Sequence, residues 1–350
     1  MNSAPSQDGS RRPVRLRDSD IHRPGITRIG CGRGFRYVDP DGRPITDRAE
    51  RQRLRDLVVP PAWKDVWICP AANGHIQATG TDAAGRRQYL YHPQFREQRE
   101  AAKHEHVLEV APALPRLRKL AAEDLDARGL CRDRVLACAA RMLDLGFFRI
   151  GNDSYRRDNE TYGLTTLLRE HVSCRGGEVC FSYPAKGAKD VSRALAEDSV
   201  CRALRALLRR RGDGERLFVY WQAGAWHDVH ADDLNAYLRE RTDTDLTAKD
   251  FRTWHATVLA AVALAVAEPV AAESRTARSR AVAHAVREVA GYLGNTPAVC
   301  RASYINPRVI ELFEEGTTIA SSLDDLGADL RFGEPATQGA VEEAVLRLLA

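Results

Sequence analysis

Apolar and polar residues alternate along much of the first hundred positions, and this pattern predicts β-structure. Residues 25–44 alternate around Gly and Asp-Gly pairs, which is typical of a β-hairpin or meander. Residues 60–92 show similar alternation and predict a small sheet, with the Asn-Gly pair at 73–74 as a tight turn. In its last strand Tyr89 and Tyr91 are two positions apart, so we expect both rings on one face.

Helical spacing appears once within this part and dominates after it. Residues 47–57 predict a short helix that Asp47 caps, with Glu50 completing a capping box. Apolar spacing predicts helices at 114–127 and 131–145, and a long apolar helix is expected after Thr247. We also expect a charged helix at 95–110, an arginine-rich helix at 192–211 and a final helix at 279–293. The most apolar run, 258–266, is too short to cross a membrane and predicts a buried helix.

Two strand-like segments interrupt the helical part: a hairpin at 177–189 and an apolar run at 217–221. We therefore expect an α+β fold, with a small amino-terminal β-sheet domain and a larger, mostly α-helical domain that contains a β-hairpin. We place these domains at residues 21–102 and 103–350. Residues 1–20 are polar and Arg-rich, and we expect them to form a disordered leader.

Charge is distributed unevenly along the chain. Residues 1–105 carry 19 Lys and Arg against 13 Asp and Glu, whereas the remainder has a net charge of −2. A basic amino-terminal third suits a surface that faces phosphates, and surplus solvated charge is the alternative. The 8 cysteines include no C-x-x-C pair, and the amino terminus lacks an apolar signal segment. We therefore expect reduced thiols and a cytoplasmic protein.

The segment at 294–308, GNTPAVCRASYINPR, places Tyr304 among small and basic residues between Pro297 and Pro307. Judged by residue type alone, such a tyrosine more often packs in a core with its hydroxyl bonded. A chemical role for Tyr304 therefore depends on what the rest of the chain brings to it.

Basic residues upstream occupy settings that favour an anion nearby. Arg149 follows two phenylalanines, where an arginine is costly to bury without an anionic partner, and a salt bridge to Asp144 or Asp153 is the alternative. Arg252 lies near the first turn of the helix after Thr247, where its charge opposes the helix dipole. The arginines at 209–211 suit either DNA phosphates or a solvated helix end.

These segments together resemble the type IB DNA topoisomerases, especially their compact bacterial and poxvirus-like forms. The resemblance covers most of residues 25–320 and rests on GNTPAVCRASY, FFRIGN with TYGLTTL, KDFRTWH and the amino-terminal PPAW, IQATG and GRRQY. It implies five catalytic residues: Tyr304 as nucleophile, Arg149, Lys186 as general acid, Arg252 and Asn295. Ala185 stands where the family's hairpin commonly has glycine, so Lys189 remains the alternative to Lys186.

The resemblance also implies that duplex DNA is the partner. It marks six candidates for DNA contacts: Lys64, Gln77, Arg86, Tyr89, Tyr91 and Tyr162. For the amino-terminal candidates, an exposed sheet face with ordinary aromatic pairs is the alternative.

The implied activity is the relaxation of supercoils through a transient 3′-phosphotyrosine, strand rotation and religation. We expect this reaction to require no ATP, metal or other cofactor. We also expect the protein to be a monomer that clamps DNA. The sequence has no G-x-x-x-x-G-K-[ST] phosphate loop. The alternatives are a tyrosine recombinase, whose usual His-x-x-Arg pattern is replaced by RTWHAT around Arg252, and a catalytically inactive DNA-binding protein.

Overall fold

The alternating amino-terminal segments form a single antiparallel sheet. Its strands are β1 Ile26–Cys31, β2 Gly34–Val38, β3 Lys64–Ile68, β4 Ile76–Thr81 and β5 Arg87–Tyr91. They lie in the order β2-β1-β3-β4-β5, so the hairpin predicted at 25–44 is confirmed. The register aligns Ile26, Ile68, Ala78 and Leu90 across four strands, and these apolar side chains form the core of this part.

The connection between β3 and β4 is longer than predicted. A tight Asn-Gly turn would join the strands directly, but residues 69–75 separate them. Within this connection the Gly74 N–H donates to the Ala71 carbonyl at 3.1 Å, so the turn is present inside a longer loop.

The short helix predicted at 47–57 is α1, Arg48–Asp56. Asp47 caps it, since its carboxylate accepts from the Glu50 N–H at 2.7 Å. The predicted capping box is wrong, because the Glu50 carboxylate accepts two hydrogen bonds from Arg53 at 2.6 and 2.8 Å instead.

The structure is a computed structural model. The chain divides into two units between Lys103 and His104. The division falls within α2, Pro93–Val110. The structure describes residues 15–32, 34–146, 148–153, 156–157, 160–175, 178–185, 189–212, 214–271, 274–324 and 338–350.

The second unit packs helices around an extensive apolar core, as expected from the fold class. Its described helices are α3 Leu114–Leu125, α4 Arg132–Gly146, α5 Asp198–Arg209, α6 Ala231–Thr242, α7 Ala248–Ala271, α8 Arg275–Leu293, α9 Pro297–Ser303, α10 Pro307–Glu315, α11 Ala320–Asp324 and α12 Ala340–Leu349.

Two small antiparallel sheets accompany these helices. The first comprises β6 Val172–Arg175, β7 Glu178–Ala185 and β8 Lys189–Leu195, and the second comprises β9 Val219–Gln222 and β10 Ala225–Asp228. The helix predicted at 192–211 therefore begins too early. Residues 192–195 belong to β8, whose pairing with β7 satisfies their backbone groups, and α5 starts only at Asp198.

Helix α7 runs through the core of the second unit. By length and composition it is, among the described residues, a candidate membrane span, but most of it is buried inside the unit, as in a core helix. The buried helix predicted at 258–266 is confirmed as far as Ala265, whereas Val266 is 66% exposed. This burial explains the apolar composition of α7.

Candidate active site

Tyr304 lies at a break between two helices that each begin with a proline. Helix α9 starts at Pro297 and α10 at Pro307, where the missing N–H of proline costs no helical hydrogen bond. Tyr304 ends α9, and its N–H donates to the Cys300 carbonyl at 3.0 Å. Its neighbour Ile305 is fully buried, so the half-buried Tyr304 ring is held at the edge of the core.

Arg252 projects from the first turns of α7 toward this tyrosine. Its guanidinium carbon lies 5.3 Å from the centre of the Tyr304 ring. Its Nη2 donates to the carbonyl of Leu293, the last residue of α8, at 2.8 Å. Burial, followed by the positive charge of Arg149, lowers the pKa of Arg252 to about 10. A buried cation in this position is well suited to receive an anionic group.

Asn295 and Arg149 form the second pair of the site. Asn295 follows Gly294, whose left-handed conformation (φ 64°) ends α8. Arg149 Nη2 donates to Asn295 Oδ1 at 2.7 Å. The salt bridge considered between Arg149 and Asp144 or Asp153 is not formed, since those carboxylates pair with other arginines.

The surroundings of Tyr304 change its acidity. Burial by itself raises the pKa of the phenol. The charge and hydrogen bond of Arg252, the charge of Arg149 and the nearby amide of Asn295 outweigh burial and lower the pKa below its usual value of 10.0. These three side chains stabilise negative charge on the tyrosine oxygen.

Two glycines position the segment that carries Arg149. Gly151 has φ +93°, and Gly163 packs so closely that a Cβ on it would lie 2.5 Å from the Gly151 backbone and 2.7 Å from the Arg149 carbonyl. That carbonyl accepts from the Leu164 N–H at 2.7 Å. The backbone of the segment at 163–164 therefore packs against the backbone of the segment at 149–151 and holds it in place.

The hairpin that was predicted to carry the general acid is formed by β7 and β8. Lys186 lies outside the described residues, as does the side chain of Lys189, the first residue of β8. Sequence reasoning missed Tyr183, a buried residue of β7 that lies near Arg252 and packs on Phe148 with ring centres 6.4 Å apart. In the sequence, the alternation of apolar residues along EVCFSYPA places Tyr183 on the same face as Val179 and Phe181.

Tyr162 connects the Arg149 segment to this hairpin. Its N–H donates to the Pro184 carbonyl at 2.9 Å, and its ring packs edge-on against His171 with centres 4.3 Å apart. These contacts give the partly buried Tyr162 a structural role. Its predicted contact with DNA stays a prediction.

In the first unit, the structure speaks against the DNA contact predicted for Gln77. This side chain is 4% exposed. Its Nε2 donates to the carbonyls of Ala72 at 3.0 Å and Gly74 at 2.6 Å. Gln77 thus satisfies the buried polar groups of the β3–β4 loop, and its amide donors are not available to a base edge.

Tyr89 and Tyr91 share one face of β5, as the alternation predicted. Their rings stack with centres 6.1 Å apart and an angle of 11° between planes. Tyr91 also packs against Phe95 at 5.5 Å, and Tyr89 remains 42% exposed. The face presents an aromatic surface from which a nucleic acid could be contacted.

Two basic candidates belong to the same sheet. Arg86 lies in the exposed β4–β5 turn and forms a salt bridge with Asp82 at 2.9 Å. Lys64 is exposed at the start of β3. The adjacent Arg87 donates to the Thr79 hydroxyl at 2.7 Å. DNA contacts by Lys64 and Arg86 remain predictions.

Comparison with known proteins decides the family. Residues 92–321, more than half of the chain, match the catalytic core of eukaryotic DNA topoisomerase I. The chain belongs to the type IB DNA topoisomerase family. Residues 34–82 also match the amino-terminal domain of bacterial DNA topoisomerase IB, so both units have counterparts in this family.

Viral topoisomerases are among the relatives of this chain. It is 28% identical to DNA topoisomerase 1B of Acanthamoeba polyphaga mimivirus over 296 residues, which cover 83% of this chain and 88% of the viral protein. It is 26% identical to DNA topoisomerase 1B of vaccinia virus (strain Copenhagen) over 133 residues, 38% of this chain and 41% of that protein. The same values hold for DNA topoisomerase I of monkeypox virus.

The family match establishes an α+β type IB topoisomerase, an isomerase whose substrate is DNA. Of the five predicted catalytic residues, the structure brings four together: Tyr304, Arg252, Arg149 and Asn295.

Proposed function

We propose that this topoisomerase relaxes supercoiled DNA by opening and resealing one strand through Tyr304. The observation that supports the proposal is the convergence of two guanidiniums and one carboxamide on the Tyr304 phenol. These groups come from α7, from the segment after α4 and from the turn after α8, so the folded chain assembles them from distant positions.

In the proposed cleavage step, the Tyr304 oxygen attacks a backbone phosphorus atom of the DNA. A bond forms between the phenolic oxygen and phosphorus, and the bond from phosphorus to the 5′ oxygen breaks. The products are a 3′-phosphotyrosine and a strand end with a free 5′ hydroxyl. The ordinary phenol, with a pKa of about 10, is a weak nucleophile at neutral pH. The lowered pKa of Tyr304 increases its reactive phenolate fraction.

Arg252 and Arg149 supply donors for the equatorial phosphate oxygens, on which negative charge accumulates in the transition state. The amide Nδ2 of Asn295 adds a neutral donor, because its Oδ1 is occupied by Arg149. Before DNA binds, the same groups stabilise the phenolate. We therefore assign them to activation of the nucleophile as well as to charge stabilisation.

We assign protonation of the departing 5′ oxygen to Lys186, with Lys189 as the alternative, because the family resemblance implies a catalytic lysine in this part of the sequence. Resealing reverses these steps after the free strand has rotated. The phosphotyrosine bond conserves the energy of the broken phosphodiester, so no ATP is required.

Each unit would contribute contacts to duplex DNA, with Tyr89, Tyr91, Arg86, Lys64 and Tyr162 as the proposed contact residues. We further propose that the protein acts as a monomer, without a membrane, in the cytoplasm on nucleoid DNA. Phosphate contacts should make its affinity fall steeply as the salt concentration rises.

Relaxation of a supercoiled plasmid in EDTA without ATP tests this function. Wild-type protein should relax the plasmid, whereas Tyr304→Phe, which lacks only the hydroxyl, should bind DNA but leave it supercoiled. Relaxation by the Phe variant would exclude Tyr304 as nucleophile. If neither protein relaxes the plasmid while both bind it, the tyrosine recombinase and the inactive DNA-binding protein become the better hypotheses.

A further inference from the structure

A buried network of charges joins four helices of the second unit outside the site described above. At its centre, Arg118 of α3 contacts two carboxylates through a two-pronged interaction with each. Its Nε and Nη2 donate to Asp144 of α4, both at 2.9 Å. Its Nη1 and Nη2 donate to Glu342 of α12 at 2.5 and 2.9 Å. Both planar edges of the Arg118 guanidinium, Nε with Nη2 and Nη1 with Nη2, therefore donate hydrogen bonds to a carboxylate.

The network reaches both segments that carry the catalytic arginines. Glu342 Oε1 also accepts from Trp254 Nε1 at 2.7 Å, and Trp254 is two residues after Arg252 on α7. Asp144 lies near the end of α4, five residues before Arg149. The Arg118 guanidinium therefore connects the first turns of α7 to the end of α4 through the two carboxylates, and His255 of α7 also lies 3.6 Å from Asp144.

The network is buried and ionised. Side chains of Arg118, Asp144 and Glu342 are 15%, 1% and 8% exposed. Burial opposes both charges. His255 and then Arg118, through hydrogen bonds and charge, hold the pKa of Asp144 well below its usual range, and Glu342 and Asp144 hold the pKa of Arg118 above its usual value. Breaking one partner of such a set leaves an uncompensated buried charge, so the arrangement resists displacement.

We propose that Arg118 is a positioning residue for strand cleavage, which holds the helix of Arg252 and the segment of Arg149 in the mutual geometry that Tyr304 requires. The inference rests on the roles assigned to these residues in the proposed function. Arg118 acts through Asp144, Glu342 and Trp254 and does not itself face the Tyr304 ring in the contacts described for it.

The proposal also gives a role to the carboxyl-terminal helix. The family match ends at residue 321, and α12 lies beyond it. Glu342 is the residue by which α12 enters the network, and its other oxygen, Oε2, accepts from the Gly339 N–H at 3.0 Å, which fixes it at the start of the helix. Helix α12 is thus part of the support of the active site.

The test compares Arg118→Lys with Arg116→Lys. Lysine keeps the charge but cannot form two planar two-pronged contacts. Arg116 is exposed on the same helix, so its replacement is the matched control. Three quantities are measured for each variant: the affinity for a duplex oligonucleotide, the single-turnover cleavage rate at saturating enzyme, and the pH midpoint of that rate.

We expect Arg118→Lys to cleave at least about tenfold more slowly, since small displacements of positioned groups cost up to on the order of a hundredfold. Its DNA affinity should stay within about twofold of wild type, because no DNA contact is removed. Its pH midpoint should rise toward 10.0, because Arg252, Arg149 and Asn295 would no longer stabilise the Tyr304 phenolate fully. Two other titratable groups lie beside Arg252, Cys300 of α9 and Tyr183 of β7, and both are still present in the Arg118→Lys variant.

An unchanged rate, or a lower rate with an unchanged midpoint, would overturn the positioning role. If Arg118→Lys unfolds, Glu342→Gln provides the same test, because an amide cannot accept both donors from Arg118. Tyr304→Phe in parallel separates the hypotheses: cleavage by that variant would refute the proposed function, whereas an inactive Phe variant beside a fully active Arg118→Lys would refute only the inference about Arg118.

Discussion

The guanidinium carbon of Arg252 lies 5.3 Å from the centre of the Tyr304 ring. A buried cation at this distance favours the ionised phenol and is in turn stabilised by it, as the mutual effects on their pKa values show. The reactivity of Tyr304 is therefore a property of the pair, and it should be open to measurement through pH.

The rate of strand cleavage should rise with pH, with a midpoint below pH 10. The phenolate fraction increases as pH passes the pKa, and a lowered pKa moves that rise to lower pH. Single-turnover cleavage of a duplex oligonucleotide between about pH 6 and pH 9.5 measures this profile. Arg252 and Arg149 are the charged groups that act on the phenol, and the titratable Cys300 and Tyr183 lie beside Arg252.

Arg252→Ala tests whether Arg252 sets the midpoint of this pH profile. Without Arg252, burial is the largest remaining influence and it raises the pKa of Tyr304, so the rate should still be climbing at the top of the pH range. A profile with the wild-type midpoint in this variant would mean that the phenol is not the titrating group.

Asn295→Asp should lower the cleavage rate by about 10²–10³, as the loss of one transition-state donor typically does. Aspartate removes the amide donor and adds negative charge beside the attacked phosphate. Asn295→His keeps a donor and should retain most of the activity. Single-turnover rates at saturating enzyme distinguish the two, and equal rates for Asp and His would show that position 295 does not contact the phosphate.

Gly163→Ala should slow cleavage without weakening DNA binding. An added Cβ would collide with the Gly151 backbone at 2.5 Å and with the Arg149 carbonyl at 2.7 Å, so Arg149 must move. Gly291→Ala is the control, because no atom lies within 4 Å of its Cβ position on α8. Thermal unfolding shows whether each variant is folded. Normal cleavage by a folded Gly163→Ala protein would contradict the positioning of Arg149 by Gly163.

Gln77→Ala and Tyr89→Ala should have opposite effects. Loss of Gln77 leaves two loop carbonyls without their donor and should destabilise the first unit by about 1–3 kcal/mol. Loss of the exposed Tyr89 ring should weaken DNA binding with little change in stability. Urea unfolding and DNA titration at fixed salt measure both. A stable Gln77→Ala protein with reduced affinity would restore Gln77 as a DNA contact.

Much of the site could be predicted from sequence because its residues occupy short, distinctive segments. Tyr304, Arg252, Arg149 and Asn295 were each selected in this way, and the structure brings them together. The burial of Gln77 was not foreseen because residue type does not reveal burial: the same amide that suits a base edge also satisfies loop carbonyls. Tyr183 was missed for the same reason, as a buried tyrosine of a strand resembles any core residue.

The sequence by itself determined the elements with strong local signals: the hairpin of β1 and β2, the cap at Asp47, and the buried helix α7. These depend on periodicity and on contacts between near neighbours, which the order of residues encodes directly. The tertiary structure alone decided that Arg149 bonds Asn295 and that Arg118 joins Asp144 to Glu342, since any of several carboxylates and amides could have served. Partner choice among distant charged groups is set by the packing of helices, and no local pattern records it.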